Sequence, residues 1–312
     1  KVIPGLDIIH SHDPFSIGLL ALWASRRYRI PHVHTYHTFY AEYRSYLPRP
    51  IRPSRRMTER VSRTFCNRCD AIIAPSPQME QELKGYGIAS PIYPLPFGVD
   101  EEEFSRRTTW NVRAALNLPT EDLLLYVGRL GWEKNIKFLL RAFWHLLILR
   151  GNVRLIIAGD GPQRAALERY VAELDVAPYV IFTGYLPREQ LIDLYKQADL
   201  FVFASKTETQ GLVLVEAMMA GTPSVAIGEM GVLNIVASGE RGILVEEDEE
   251  EFARACHSLL EDEGQRQRLG TAAQRWARSQ SAQASTRRLL EIYGEAMLEQ
   301  KDCEVAQDRL IY

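Results

Sequence analysis

Short apolar runs and amphipathic stretches alternate along almost the whole chain. Leu6–His10, His32–Tyr36, Ala71–Ala74, Leu123–Val127, Val153–Ala158, Val180–Thr183, Leu200–Ala204 and Ser224–Ile227 read as buried strands. Between most of them apolar residues recur at helical spacing, as in Phe138, Leu139, Leu140, Ala142 and Phe143, or Leu191, Leu194, Tyr195 and Ala198. Strands apolar throughout need cover on both faces, and the intervening helices supply it. The rhythm predicts βαβ units and parallel sheets, an α/β fold. In such sheets ligands bind beyond the C-terminal ends of the strands, so the residues that follow each strand carry the functional information.

A length of 312 residues suits two domains. The Pro-rich Pro91–Pro96 followed by the polar Phe97–Glu103 marks a boundary, and a new βαβ series begins near Thr120. The expected division is 1–100, 101–288 and 289–312, the last a C-terminal helical segment, its helix placed near Thr286–Gln300, that crosses back to the first domain. Nothing apolar approaches the ~18 residues of a membrane span, and no leader pattern is present. The chain opens on Lys1 and is expected to begin inside a longer protein.

Residues 1–95 carry 13 Lys/Arg against 7 Asp/Glu (+6), whereas 96–312 carry 24 against 33 (−9), for a total of −3. The basic first part argues for an anionic partner there. Its centre is residues 44–68, with Arg44, Arg49, Arg52, Arg55, Arg56, Arg60, Arg63 and Arg68 opposed only by Glu59. Phe39, Tyr40, Tyr43 and Tyr46 lie just before, and a helix is expected from Ser54 with Met57, Val61 and Phe65 on one stripe. A basic helix beside aromatics suits an anionic membrane surface, with Arg55, Arg56, Arg60 and Arg63 in contact. It equally suits a helix that buries its stripe and solvates its basic face. The patch is too local for nucleic acid. Four cysteines make no disulfide scaffold and suit a reducing, cytoplasmic compartment; Cys66-Asn67-Arg68-Cys69 reads as ordinary helix cysteines.

Glu208-Thr209-Gln210-Gly211-Leu212-Val213-Leu214-Val215-Glu216 follows a predicted strand, and Gly221 and Pro223 close the helix behind it. Glu208 thus falls in the loop and Glu216 about one turn into the helix. The N–H groups of Gly211, Leu212 and Val213 should point out of a helix N-terminus, which attracts an anion. A carboxylate on either side can accept hydrogen bonds from hydroxyls. Diphosphate plus hydroxyls describes a nucleotide sugar.

In Tyr126-Val127-Gly128-Arg129-Leu130-Gly131-Trp132-Glu133-Lys134-Asn135 a strand ends at Gly128 and delivers Arg129 and Lys134 to a loop. Alone these read as two solvated cations; beside the glutamate pair they read as partners for a diphosphate. Gly159-Asp160-Gly161-Pro162 and Gly184-Tyr185-Leu186-Pro187 close two further strands, as turns or as backbone that meets the donor. His10-Ser11-His12 and His34-Thr35-Tyr36-His37-Thr38 end the first two strands, so two strands bring histidine to one sheet edge. His37 could position a hydroxyl or phosphate, or be purely structural. There is no H-E-x-x-H, no Cys/His set and no Asp-x-Asp after a strand, so neither a metal nor another cofactor is expected.

Taken together, Gly128-Arg129-Leu130 with Glu133-Lys134-Asn135, Gly159–Pro162, Glu208 through Glu216 and Ala220-Gly221-Thr222-Pro223 resemble, in order, the retaining nucleotide-sugar glycosyltransferases of the GT-B fold, glycosyl transferases group 1. Within them His34–Tyr40, Phe65–Asp70 and Glu208–Gly211 look most like the 1,2-diacylglycerol 3-glucosyltransferases. The resemblance covers nearly the whole chain. It implies two Rossmann-like domains facing a cleft, the first for the acceptor and the second for the donor. It implies that Arg129 and Lys134 neutralise the donor diphosphate and that Glu216 holds the ribose. Glu208 would contact the hexose with Gly211, Leu212 and Val213, and Gly161, Tyr185 and Leu186 would line the donor site. His37 would lie near the reacting centre. The activity implied is transfer of a hexose, glucose from UDP-glucose, to a lipid acceptor such as diacylglycerol by a peripheral enzyme on the inner face of the cell membrane. GDP-mannose as donor, a soluble acceptor, and a non-catalytic nucleotide-sugar-binding fragment are the alternatives. One departure stands out. The family opens with a strand and a Gly-rich loop that this sequence lacks, so the first domain is expected to be incomplete.

Overall fold

The computed structural model describes residues 5–44, 50 and 52–309. They form two compact units, one of residues up to Phe97 joined by those from Gln283 onward, the other Gly98–Ala282.

The first unit runs β1 (Ile9–Ser11), α1 (Ser16–Tyr28), β2 (His32–Thr35), α2 (Tyr40–Tyr43), α3 (Arg55–Cys66), β3 (Ala71–Ala74), α4 (Pro77–Gly85) and β4 (Ile92–Pro94). Its strands form a parallel sheet in the order β1-β2-β3-β4, with Ile9 opposite His32, Val33 opposite Ala71 and Ile72 opposite Ile92. α3 and α4 begin where serines accept from the backbone, Ser54 from Met57 N and Ser76 from Met79 N. The first strand starts three residues later than the sequence pattern suggested, since Leu6 stays exposed.

The second unit runs α5 (Glu101–Ser105), α6 (Val112–Ala115), β5 (Asp122–Val127), α7 (Ile136–Leu149), β6 (Val153–Ala158), α8 (Arg164–Glu173), β7 (Val180–Gly184), α9 (Arg188–Gln197), β8 (Leu200–Phe203), α10 (Leu212–Ala220), β9 (Ser224–Ile227), α11 (Val232–Ile235), β10 (Gly242–Val245), α12 (Glu249–Glu261) and α13 (Glu263–Ser279). Its sheet is parallel, in the order β10-β9-β8-β5-β6-β7. Leu123–Val127, Ile156, Ile157, Phe201 and Phe203 are buried between helix layers that contribute Phe138, Leu140, Leu214 and Met218. α14 (Ala282–Arg309) carries the chain back, and Ile292 and Ala296 pack on Val33, Ala71 and Ile73 of the first sheet.

Two strands were not anticipated from sequence, β4 and β10, and each lies at a sheet edge. β4 sits inside the Pro-rich stretch, where an edge strand tolerates the missing donor of Pro94. The acidic run 246–251 opens α12, where negative charge suits a helix N-terminus, with the Asp248 side chain accepting from Glu251 N.

Candidate functional site

The chain order of the second sheet reverses at one place. β5 leads outward to β6 and β7, and the chain then returns to lay β8 on the other side of β5. The loops after β5 and β8 therefore diverge from a common point, the position at which open α/β sheets bind ligands.

After β5 the chain turns through Gly128, whose φ of 153° lies at the edge of the region that favours glycine, and makes one 3-10 turn over Trp132–Lys134. This delivers Lys134 to the β8 side, where its Nζ lies 2.6 Å from Glu208 Oε2. Both side chains are largely buried. The buried hydroxyl of Tyr126 lies beneath; burial first, then the Glu208 and Glu133 carboxylates, hold its pKa far above the usual phenol range.

α10 begins directly after this loop. Gly211 adopts φ 81°, ψ 48°, and no side chain caps the helix. A Cβ at Gly211 would crowd Ile235, Leu214 and the Glu208 methylene at 3.2–3.4 Å. Only glycine permits this left-handed entry without strain. The uncapped first turn, with Leu212 exposed, directs its free N–H groups outward beside the Lys134–Glu208 pair.

Glu216, one turn inside α10, is not a free carboxylate. Arg188 Nη1 donates to its Oε1 at 2.5 Å, and the buried Tyr195 hydroxyl donates to its Oε2 at 2.9 Å. Arg188 also reaches Glu103 Oε2 at 2.9 Å. Partial burial opposes the charge on Arg188, but the Glu216 and Glu103 carboxylates outweigh it and raise its pKa. Neither Arg188 nor the Tyr195 hydroxyl was singled out in the sequence. The available signals were a cation at the first position of α9, directly after Gly184–Pro187, and a tyrosine within a buried helix stripe whose hydroxyl needs a partner.

The other expected donor residues fall on neighbouring loops. Arg129 is exposed after β5. Gly161, after β6, serves a close loop–loop approach: Leu130 N donates to Asp160 O at 2.9 Å, and a Cβ on Gly161 would meet the Leu130 backbone at 2.6–2.9 Å. Tyr185, after β7, is 77 % exposed, and Leu186 packs against the core.

Five of the seven histidines lie in the first unit. His12 Nδ1 and His37 Nε2, at the C-terminal ends of β1 and β2, are 2.8 Å apart, and the His37 ring stacks on Phe97 with centroids 5.2 Å apart. His10 lies between Tyr293 Oη (2.6 Å) and Thr35 Oγ1 (2.7 Å). Ser11 Oγ lies within 2.8 Å of both His32 and His34. Burial, reinforced for His10 and His34 by neighbouring imidazoles, lowers the pKa of His10 and His34 to about 3, and burial lowers that of His32 to about 4. His12 and His37 are shifted the same way, again chiefly by burial.

α3 divides its stripe. Phe65 is buried, while Met57 and Val61 are half exposed and border an apolar groove of about 260 Å³ with Phe15, Tyr40 and Pro53. Arg55 is held by Glu42, Glu59 and Glu82. Among the described residues no carboxylate pairs with Arg56, Arg60 or Arg63. The four arginines named together in the sequence are therefore not equivalent. Burial pushes the Cys66 thiol up to about 12 and that of Cys69 higher still. Among the described residues, no three His, Cys, Asp or Glu side chains are grouped to hold a metal, and no helix is long and apolar enough to cross a membrane.

The family model of glycosyl transferases group 1 matches residues 108–276, the unit that contains the Lys134–Glu208 pair, and that of glycosyltransferase family 4 matches residues 3–103. The chain belongs to the glycosyl transferases group 1 family. It is 34 % identical over 247 residues to alpha-monoglucosyldiacylglycerol synthase of Streptococcus pneumoniae, covering 77 % of this chain and 56 % of that protein. It is 28 % identical over 263 residues to the synthase of the same name from Acholeplasma laidlawii, covering 81 % and 66 %. The chain thus spans between about half and two thirds of these relatives. Among solved structures, sucrose-phosphate synthase from Thermosynechococcus elongatus superimposes with a TM-score of 0.79 at 26 % identity, over 95 % of this chain and 75 % of that one. The fold is that of GT-B glycosyltransferases, with four strands described in the first sheet.

Proposed function

We propose that this chain is the donor-binding part, with a portion of the acceptor-binding part, of a retaining hexosyltransferase that moves glucose from UDP-glucose to diacylglycerol or a similar lipid. One observation carries the proposal: two motifs 74 residues apart meet as the Lys134–Glu208 pair, beside the uncapped N-terminus of α10, at the strand-order reversal. A diphosphate there would be stabilised by Lys134, Arg129 and the helix N–H groups. Glu208 would turn to a hexose hydroxyl, and Glu216 would face the ribose. The proposed role of His37 lies near the reacting centre.

The reaction needs little covalent help from the protein. The acceptor oxygen bonds to the anomeric carbon as the bond to the diphosphate breaks. The leaving diphosphate takes the acceptor proton on the same face. The demand is charge stabilisation on the leaving group, which preorganised cations and N–H dipoles supply. The names of the two diacylglycerol relatives support the lipid acceptor, and the exposed basic face of α3 supports peripheral attachment to an anionic membrane at the inner face of the cell.

The test uses the chain extended at its N-terminus to the length of its diacylglycerol relatives, mixed with UDP-glucose and diacylglycerol vesicles. A glycolipid product is expected by chromatography, with no free nucleotide released when the acceptor is omitted. If a screen of UDP- and GDP-sugars against lipid and soluble acceptors yields transfer only from GDP-mannose or only to a soluble acceptor, the alternative donor or acceptor replaces this one. If it yields none, the enzymatic proposal fails.

A further inference from the structure

We infer that Arg188 is a positioning residue: it orients the Glu216 carboxylate and through it sets the preference for a ribonucleotide over a deoxyribonucleotide. This rests on Glu216 being the ribose contact proposed above. The geometry around Glu216 goes further than that assignment.

Glu216 accepts one bond at each oxygen, from Arg188 at Oε1 and from Tyr195 at Oε2. Two donors on opposite oxygens define the carboxylate plane. Each oxygen keeps further acceptor capacity, which is what two vicinal hydroxyls require. The torsion that rotates a glutamate carboxylate is intrinsically broad, so its orientation must come from its partners.

The two donors are held differently. Tyr195 is fully buried in the core. Arg188 is 38 % exposed at the first turn of α9 and is immobilised by contacts of its own. Its Nε and Nη2 both reach Glu103 Oε2 at 2.9 Å, and its guanidinium carbon lies 5.5 Å from the Phe104 ring centroid. Glu103 and Phe104 belong to α5, Arg188 to α9 and Glu216 to α10, and these three helices pack on one another. Arg188 thus ties Glu216 to a second helix through a planar fork that addresses two carboxylates at once. A lysine ammonium has no such fork. Removing Arg188 leaves Glu216 held at one oxygen only.

The test measures dissociation constants of UDP and GDP with the chain. It then compares the tighter-binding one with its 2′-deoxy counterpart, in the wild type and in Arg188→Met, Arg188→Lys and Glu216→Gln. The wild type is expected to prefer the ribonucleotide by about tenfold or more, the worth of one charge-assisted hydrogen bond. Arg188→Met should bring that ratio down to about the value of Glu216→Gln, and Arg188→Lys should fall between. A merely structural role would weaken both ligands by the same factor and leave the ratio intact, and that result overturns the inference. Arg188→Lys carries the comparison if the methionine variant does not fold. If Glu216→Gln itself keeps the wild-type ratio, or the wild type binds neither nucleotide, the ribose assignment falls and the inference falls with it.

Discussion

The two units solve the problem of a parallel sheet with different side chains. The second surrounds six strands with helices and closes the loops at its strand ends with ion pairs, Lys134–Glu208 and Arg188–Glu216. The first has four described strands and threads them with neutral, buried histidines instead. It also leaves Phe15, Ile17, Leu19, Leu20 and Trp23, on and next to α1, more than half exposed. An ion pair at a site can be opened by a charged ligand, which exchanges one partner for another. A buried imidazole has no such exchange, and it responds to protons. In the function proposed above, charge in the second unit is available to a ligand, whereas the buried imidazoles of the first are held neutral.

The largest effect expected from this contrast is on acidification. The folded pKa values of His10, His32 and His34 lie at about 3 to 4, below the unfolded value near 6.5. Below 6.5 the unfolded chain binds protons that the folded unit refuses. Stability is therefore complete above about pH 6.5 and is lost as the pH falls towards 4. The loss should reach about 3 kcal/mol or more. Hydrogen exchange at pH 7 and pH 4.5 should show β2 and β3 losing protection well before β5 and β8. Equal loss in both sheets would break the comparison.

A smaller effect belongs to Lys134. Its removal takes a cation from the proposed diphosphate site and leaves Glu208 without Lys134 beside it. Lys134→Ala is expected to weaken nucleotide diphosphate binding by about 2–3 kcal/mol, as read by calorimetry. Adding Glu208→Ala should restore part of that loss, since the stranded carboxylate is gone. Strict additivity of the two changes would show that the pair does not act at the site.

The smallest effects lie on α3. Replacing Arg56, Arg60 and Arg63 with glutamine should cost about 1 kcal/mol each in binding to anionic vesicles by sedimentation. Arg55→Gln should cost less, because Glu42, Glu59 and Glu82 already hold that cation. Equal losses at all four positions would count against this distinction, and undiminished binding of the triple variant would remove the membrane contact altogether.

Much of the second unit was legible in advance because its information is local. Strands apolar on both faces announce a parallel sheet, and Gly211 and Gly221 bracket α10 within eleven residues. β4 was not legible because it lies in a Pro-rich stretch that reads as a linker, which an edge strand tolerates. β10 was missed although Gly242-Ile243-Leu244-Val245 is a short apolar run, for which the structure gives no reason. In the first unit, a stripe of Met57, Val61 and Phe65 could be seen, but which of them is buried depends on what packs against α3.

The sequence by itself determined the α/β class, the loops at the strand ends and the residue types on them, because these follow from periodicity and from turn chemistry between neighbours. Only the tertiary structure decided which charges meet. Lys134 faces Glu208 because β5 and β8 are adjacent in the sheet though 74 residues separate the pair, and Glu216 faces Arg188 because α9 packs on α10. The two glutamates thus stand in the free protein as carboxylates already paired with cations. The reason is physical: electrostatic partners are chosen by distance in space, and spacing along the chain does not encode that distance.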